Sequence, residues 1–555
     1  MNQASARALP GTSVRRLPGS RLAIAGVVAF GAILASWLVY HETNREIVTQ
    51  QPVDLHVYYI GGLIVRHVRP WYSPHLASPL YDWSGYTALH LPFDYSPFAA
   101  VVFSVVSFIP WLWVSRLMIG ANVIFLVATL WFTYGGLGYR NRKVRIGATL
   151  LTAAAVFWTE PIIRVIYLGQ IELALMALVM WDMCQPDRRR WKGVGVGIAA
   201  GIKLVPLIFI AYLVVTKRFR QAIVASVSFV ATILIGFAVA PADSVKYWFT
   251  GLFWSGAPKA GFAAWVGNQS LRALVARILG SLNGSEHPWL AVDALAIIVG
   301  LACAALLDRK GYRIAGLMAT ALTGLLASPI SWDHHWVWIV PCVALAAHYA
   351  VQAMAARARG LTTGKGVAAG WRDWLARARF WASSLPGWGC WVLAAGLVAI
   401  FGAWPGSLFG QPRDMGPFSL GVLWLAPGTG MATYEKYGDR PTYPEYRWHG
   451  LNLLIGNAYV LTGIALIILL LILAWYAPYP RVATSSAAAA EPGGEKADAL
   501  ASAAVNGAAS GRGTASDQST ASDRSAADEP AAEQPQPEPA AGKSAASGAQ
   551  SQAPG

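Results

Sequence analysis

SPISWDHHWVW, from Ser328 to Trp338, places Asp333, His334 and His335 between the apolar runs LMATALTGLLA and IVPCVALAA. A carboxylate there can accept a proton, and imidazole, ammonium and guanidinium groups can receive developing negative charge. Other residues of these types stand in equally apolar surroundings. Asp54 and His56 lie in VDLHVYY, and Asp94 and Tyr95 in FDYSPF. Arg164, Gln170 and Glu172 lie in IIRVIYLGQIE, Lys203 and Pro206 in GIKLVPL, and Asn268 and Gln269 in VGNQSL. Ionisable groups at membrane depth are costly unless they pair or line a wet cavity, so their convergence on one face is the signature of a site.

The elements that must position them are membrane helices. The 555-residue chain is 55% hydrophobic and 13% charged, which excludes an ordinary water-soluble globule. Runs near the ~20 residues needed to cross a bilayer recur at 21–40, 146–159, 165–184, 193–216, 220–240, 290–307, 313–332, 334–351, 386–404 and 451–476, and 96–136 is longer. They are continuous and lack period-two alternation, which predicts helices and not a barrel. The formal charge of +15 is gathered in short clusters beside these runs: RNRKVR at 140–145, DRRRWK at 187–192, KRFR at 217–220 and DRKGYR at 308–313. That pattern is positive-inside topology, not a nucleic-acid surface. Four scattered cysteines, Cys184, Cys303, Cys342 and Cys390, carry no redox or zinc spacing.

Placing every basic cluster in the cytoplasm predicts an all-α, polytopic protein of about 12 crossings. Residues 1–20 form a cytoplasmic lead, 21–476 a transmembrane catalytic domain, and 477–555, rich in Ala, Ser, Gly and Pro, a disordered cytoplasmic tail. The first outer loop runs from 41 to 95. The 96–136 run crosses once after a half-embedded lead-in that ends near Pro110. The 193–216 run splits at Lys203 and Pro206 into two short helices. Asp333, His334 and His335 then reach the outer face with the other polar groups. Structural roles compete for the same residues: solvated loop carboxylates for Asp54 or Asp82, an interfacial helix end for the two histidines, interhelical hydrogen bonding for Gln170, Asn268 and Gln269, and snorkelling for Lys203.

In order along the chain, Asp54, a YSPF motif opening the second span, GQIELAL, GIKLVPL, GNQSL and SPISWDHHWVW resemble glycosyltransferase family 87, over roughly residues 20–476. Where that family usually carries YPP, this chain has Tyr95, Ser96 and Pro97. The resemblance implies the GT-C architecture with large outer loops and a polyprenyl-phosphate-mannose donor. It further implies a glycolipid acceptor of the phosphatidylinositol mannoside or lipomannan type, on the outer face of the plasma membrane. An arabinofuranosyltransferase using decaprenyl-phosphate-arabinose is the alternative within the class, and a transporter or a scaffold of envelope assembly the alternative outside it. Oligomeric state is not encoded in any motif.

Chemistry points the same way. A sugar donor outside the cell is a lipid phosphate, because nucleotide sugars are cytoplasmic. Phosphate leaves well, so one base suffices. Asp54 is that candidate base, and attack opposite the phosphate inverts the anomeric centre. His334, His335 and Lys203, with Arg164 behind them, are candidates for the donor phosphate and sugar. His56, Tyr95, Gln170, Glu172, Asn268, Gln269 and Asp333 are candidates for the rest of the substrate contacts. No cofactor is expected. No metal is expected either, since Asp54 has no second carboxylate in a DxD pair and adjacent helical histidines diverge by about 100°.

Overall fold

The computed structural model describes residues 19–43, 52–69, 71–83, 93–252, 264–281, 286–358, 387–403, 421–427 and 444–476. The tail, most of the N-terminal lead, 359–386 and most of the 405–450 loop lie outside the described residues. What is described is helical: α1 Gly19–Thr43, α2 Val53–Val65, α3 Pro79–Asp82, α4 Pro97–Val106, α5 Trp111–Gly136, α6 Arg142–Val156, α7 Glu160–Leu168, α8 Glu172–Met183, α9 Val194–Ile202, α10 Ile208–Val215, α11 Phe219–Val239, α12 Pro241–Phe249, α13 Leu271–Leu279, α14 Glu286–Arg309, α15 Arg313–Ala327, α16 Ile339–Ala358, α17 Gly387–Ile400, α18 Gly450–Gly456 and α19 Ala458–Tyr476. Among the described residues the only strand-like pairings are two isolated bridges, Thr159 with Gly402 and Asn268 with Trp332.

Six of these helices are long and apolar enough to cross a bilayer, or seven if α7 and α8 count as one broken span. The expected dozen crossings are therefore not reached by full-length helices. Five other apolar helical stretches are only 10–17 residues long, short of the ~20 a straight crossing needs. Large side chains such as Ile223, Val227 and Leu234 on α11 and Ile24 and Val28 on α1 stay exposed, which fits contact with lipid tails.

Helix ends follow local chemistry. Ser96 caps α4 by accepting from the Ala99 N–H at 3.2 Å, with Pro97 at the first helical position. The lead-in before Pro110 and the full-length α5 match the single crossing expected of 96–136. The expected split of 193–216 is also present: α9 stops where Lys203 turns extended (φ −139°, ψ 133°), and α10 follows a short 3-10 turn at Val205–Leu207. The 165–184 run, by contrast, is not one continuous helix. It breaks at Gly169, whose left-handed φ of 67° only glycine adopts readily, and α7 and α8 meet at 115°.

The basic clusters meet at one end of the bundle. Asp187 pairs with Lys192 at 2.9 Å, Arg218 at 3.2 Å and Arg313 at 2.8 Å, and Arg218 also reaches Asp308 at 2.7 Å. Burial works against the Asp187 carboxylate, yet the Arg313 and Lys192 charges outweigh it and hold the group below its usual range. From this end α8 and α9 run back to Glu172 and Lys203, and the 12 residues of α8 span ~18 Å.

α9 lies on α11 through Gly193, Gly197 and Gly201, four residues apart on one face. A Cβ at Gly197 would strike the Ala225 carbonyl and Ser228, and one at Gly201 would strike Thr232. Close approach of this kind is how small residues pack membrane helices. Gly197→Leu is expected to push α9 off α11 and cost about 1–3 kcal/mol, read as a lower thermal midpoint in detergent. Gly120→Leu, where an added Cβ meets nothing within 4 Å, is the control that leaves the midpoint unchanged.

Candidate active site

The left-handed turn at Gly169 brings two polar side chains into the bundle. Gln170 donates from Nε2 to Asp54 Oδ2 at 2.6 Å, and its Oε1 accepts from Tyr58 at 2.5 Å and Tyr95 at 3.2 Å. Its backbone carbonyl is fixed by Asn122 Nδ2 at 3.2 Å. Asp54 stands in the first turn of α2, half-buried, with its carboxylate accepting from this amide. Tyr58 is one helical turn further on, and so shares the face of Asp54. Its hydroxyl lies 2.6 Å from that of Tyr95.

Two residues after Gln170, Glu172 opens α8 and pairs with the Lys203 ammonium. Lys203 Nζ lies 2.8 Å from His335 Nε2, and His335 Nε2 lies 3.5 Å from Glu172 Oε1. The ammonium also stands 5.5 Å from the Tyr95 ring centroid, which joins the two halves of the site. Below this polar end, Leu175, Met176, Val205, Phe209, Leu325 and Trp338 line one continuous cavity with Glu172, Lys203 and His335.

A second buried layer holds His334. Asp333 Oδ1 lies 3.1 Å from His334 Nδ1 and also accepts the His334 backbone N–H at 2.7 Å. Asp333 Oδ2 lies 3.1 Å from Arg164 Nε, which in turn is 3.5 Å from Glu160 Oε1. Tyr459 donates to Glu160 Oε2 at 3.0 Å, and the Trp424 ring lies 5.4 Å from the Arg164 guanidinium.

The expected site residues thus separate into groups. Asp54, Tyr95, Gln170, Glu172, Lys203 and His335 come together in one connected network. Arg164 and Asp333 are buried behind His334 and position it. Asn268 and Gln269 are fully buried in structural bonds: Asn268 Oδ1 accepts the Ser331 N–H at 2.9 Å, and Gln269 Nε2 donates to the carbonyls of Val266 at 2.7 Å and Gly456 at 2.8 Å. They hold the backbone that carries Asp333. His56 is directed elsewhere: its ring stands edge-on to Trp111 and Trp71, with centroids 5.1 and 6.4 Å away. Residues two apart on a helix diverge by about 200°, so Asp54 and His56 serve different faces. Asp82, the other candidate carboxylate of this loop, pairs with Lys246 of α12.

The geometric ground for expecting no metal does not survive. Asp333–Trp338 is a 3-10 turn, the His334 and His335 ring centroids are 4.7 Å apart, and ligand atoms of Glu172, His334 and His335 all lie within 4.8 Å of one another. Adjacent histidines diverge in an ideal α-helix, but here the partner carboxylate comes from α8 and meets both. Sequence reasoning also missed Asn122, Glu160, Trp424 and Tyr459. Glu160 was detectable as the i−4 neighbour of Arg164.

Membrane-length helices around a buried acid–base cluster that opens into an apolar cavity define the class: a multi-pass membrane protein with a catalytic-type interior. The model of glycosyltransferase family 87 matches residues 93–329. A polyprenol-phosphate-mannose-dependent alpha-(1-2)-phosphatidylinositol pentamannoside mannosyltransferase of Mycobacterium tuberculosis (strain CDC 1551 / Oshkosh) is 35% identical over 52% of this chain and 64% of its own length. A polyprenol-phosphate-mannose-dependent alpha-(1-2)-phosphatidylinositol mannoside mannosyltransferase of M. tuberculosis (strain ATCC 25618 / H37Rv) is 30% identical over 53% of this chain and 70% of its own. One of the same description from Mycolicibacterium smegmatis is 29% identical over 53% and 69%. No solved structure matches. The chain belongs to glycosyltransferase family 87. The family match begins after Asp54 and ends before Asp333, so the placement of Asp54, His334 and His335 rests on the geometry above.

Arg164 is the positive charge between two buried carboxylates, Glu160 and Asp333. Arg164→Met is expected to strand both and lower stability by about 3–5 kcal/mol, measured by thermal unfolding in detergent. Adding Glu160→Gln and Asp333→Asn to that variant should recover part of the loss.

Proposed function

We propose that this protein transfers mannose from a polyprenyl-phosphate-mannose donor to a glycolipid acceptor of the phosphatidylinositol mannoside or lipomannan type. One observation carries the reading: a cavity with apolar walls ends in Lys203, His335 and Glu172, and Asp54 stands across Gln170 from that end. A hydrocarbon chain with a charged phosphate head is the ligand class whose chemistry matches that lining, apolar walls with an ammonium at the end.

In this mechanism the acceptor hydroxyl oxygen attacks the anomeric carbon from the face opposite the phosphate. Its proton passes to the Asp54 carboxylate, the bond from the anomeric carbon to the phosphate oxygen breaks, and polyprenyl phosphate departs. The configuration inverts. The phosphate goes from a diester with one negative charge to a monoester with up to two, so a cation placed at the leaving oxygen stabilises the transition state more than the ground state. In this reading Lys203 is that cation, and His335 stands beside it, its Nε2 2.8 Å from the ammonium. Glu172 orients the ammonium, and Asp333 holds His334 by Nδ1 so that Nε2 is directed inward. The mannosyltransferase names of the relatives favour mannose over arabinofuranose.

The reaction belongs on the outer face of the plasma membrane in this reading. The basic turns gathered around Asp187 are the cytoplasmic end by the positive-inside rule, and the site lies at the other end of α8 and α9. A membrane-impermeant maleimide should therefore label a cysteine at His75 from outside and leave one at Arg189 unmodified, both positions being exposed. The reverse pattern would put the site on the cytoplasmic face.

Purified protein given polyprenyl-phosphate mannose, or separately decaprenyl-phosphate arabinose, should extend a phosphatidylinositol mannoside by a hexose only, as read by mass. Asp54→Asn keeps the shape but removes the base, so turnover is expected to fall on the order of 100-fold to 10,000-fold with donor affinity nearly unchanged. His335→Ala should weaken donor binding as well, because the phosphate is charged before and during transfer. Full activity in Asp54→Asn would remove the base assignment.

A further inference from the structure

Lys203 occupies the place of an ion. Its Nζ contacts the Glu172 carboxylate and lies 2.8 Å from His335 Nε2, and those two acceptors are 3.5 Å apart. That is close to the ~3.4 Å between neighbouring ligands of a tetrahedral zinc ion with ligand bonds of about 2.1 Å. His334 completes the set, since one ligand atom from each of Glu172, His334 and His335 falls within 4.8 Å of the others. His334 Nε2 and Glu172 Oε2 are buried without a hydrogen-bond partner. The other ring nitrogen of His334 is held by Asp333 at 3.1 Å, the carboxylate-behind-histidine arrangement that orients metal-ligating imidazoles. Two histidines and a glutamate are a zinc-binding combination, and here an ammonium sits among them.

We infer that Lys203 is a tethered cation filling a metal-type cradle, and that removing its ammonium converts Glu172, His334 and His335 into a binding site for a divalent transition metal of the zinc class. Two cations cannot share the cradle, because at such separations in a water-poor interior their repulsion is strong. A tethered ammonium receives phosphate charge at fixed stoichiometry, whatever the free metal concentration outside the cell. What the ammonium is for rests on the function proposed above, but whether the cradle binds metal does not.

The test titrates chelator-treated, detergent-purified protein with Co²⁺ and follows the visible ligand-field band of nitrogen- and oxygen-bound cobalt. Lys203→Met is expected to bind one Co²⁺ per chain at least 100-fold more tightly than the wild type, and Lys203→Met combined with His335→Ala to lose that binding. Lys203→Ser is the second variant, with monodispersity on size exclusion reporting that each is folded. The inference is overturned if the wild type takes up the ion as tightly as the variants, or if both folded Lys203 variants bind none. The wild type gives an independent reading: its transfer rate should persist in excess chelator, and a loss restored by a divalent ion would show that metal, not Lys203, supplies the charge. Absence of any transfer by the wild type would instead count against the proposed function and leave the cobalt result to stand alone.

Discussion

The turn at Gly169 is the constraint on which the rest of the site depends. Its left-handed backbone bends α7 against α8, and a side chain there would meet Leu55 Cβ at 2.5 Å. One missing Cβ therefore both makes the turn and lets α2 dock, and α2 carries Asp54. Within the next three residues Gln170 faces Asp54 and Glu172 faces Lys203. The separation between the partners of Asp54 and Lys203, Gln170 and Glu172, is set by the chain itself, across a dipeptide step.

Around that turn the energetic problem is buried charge. Taking a carboxylate or guanidinium out of water costs several kcal/mol, and pairing returns that only with good geometry. The structure answers with alternating signs: Glu160, Arg164 and Asp333 in sequence, ending on His334, with Tyr459 donating to the far end. Glu172 and Lys203 repeat the alternation nearer the cavity. Hydrophobic residues of similar volume would give equal or greater stability, so the network is better explained by what it positions than by what it stabilises. It fixes the imidazole of His334 from behind.

Local punctuation was legible in the sequence. Pro110, and Lys203 with Pro206, interrupt apolar runs, and chain breaks stand at both places because a missing donor or a disfavoured backbone acts within a few residues. The bend at Gly169 is not legible in the sequence, because IIRVIYLGQIE is as apolar as a continuous span and a lone glycine is tolerated in one. Taking 41–95 as loop hides the helical face shared by Asp54 and Tyr58, and with it the different face that His56 takes. Asn268 and Gln269 were visible as polar residues in apolar surroundings, but Gln269 finds Gly456 and Val460 some 190 positions away. No spacing rule could distinguish a residue that touches substrate from one that ties two distant segments together.

The short helices and the site have a single explanation. A helix end leaves backbone donors or acceptors open, and within a bilayer these must be met by protein or by a wet cavity. α2, α4, α7, α8, α9 and the 3-10 turn at Asp333 all begin or end around the same volume. There they satisfy one another: the Ser96 hydroxyl that caps α4 also donates to the Gly201 carbonyl near the end of α9, and Asn122 of α5 takes the Gln170 carbonyl in the bend. Full-length spans would have left nothing to satisfy, and nowhere for Asp54, Lys203 and His335 to meet. A polar interior at membrane depth requires interrupted helices, and interrupted helices at membrane depth require a polar interior.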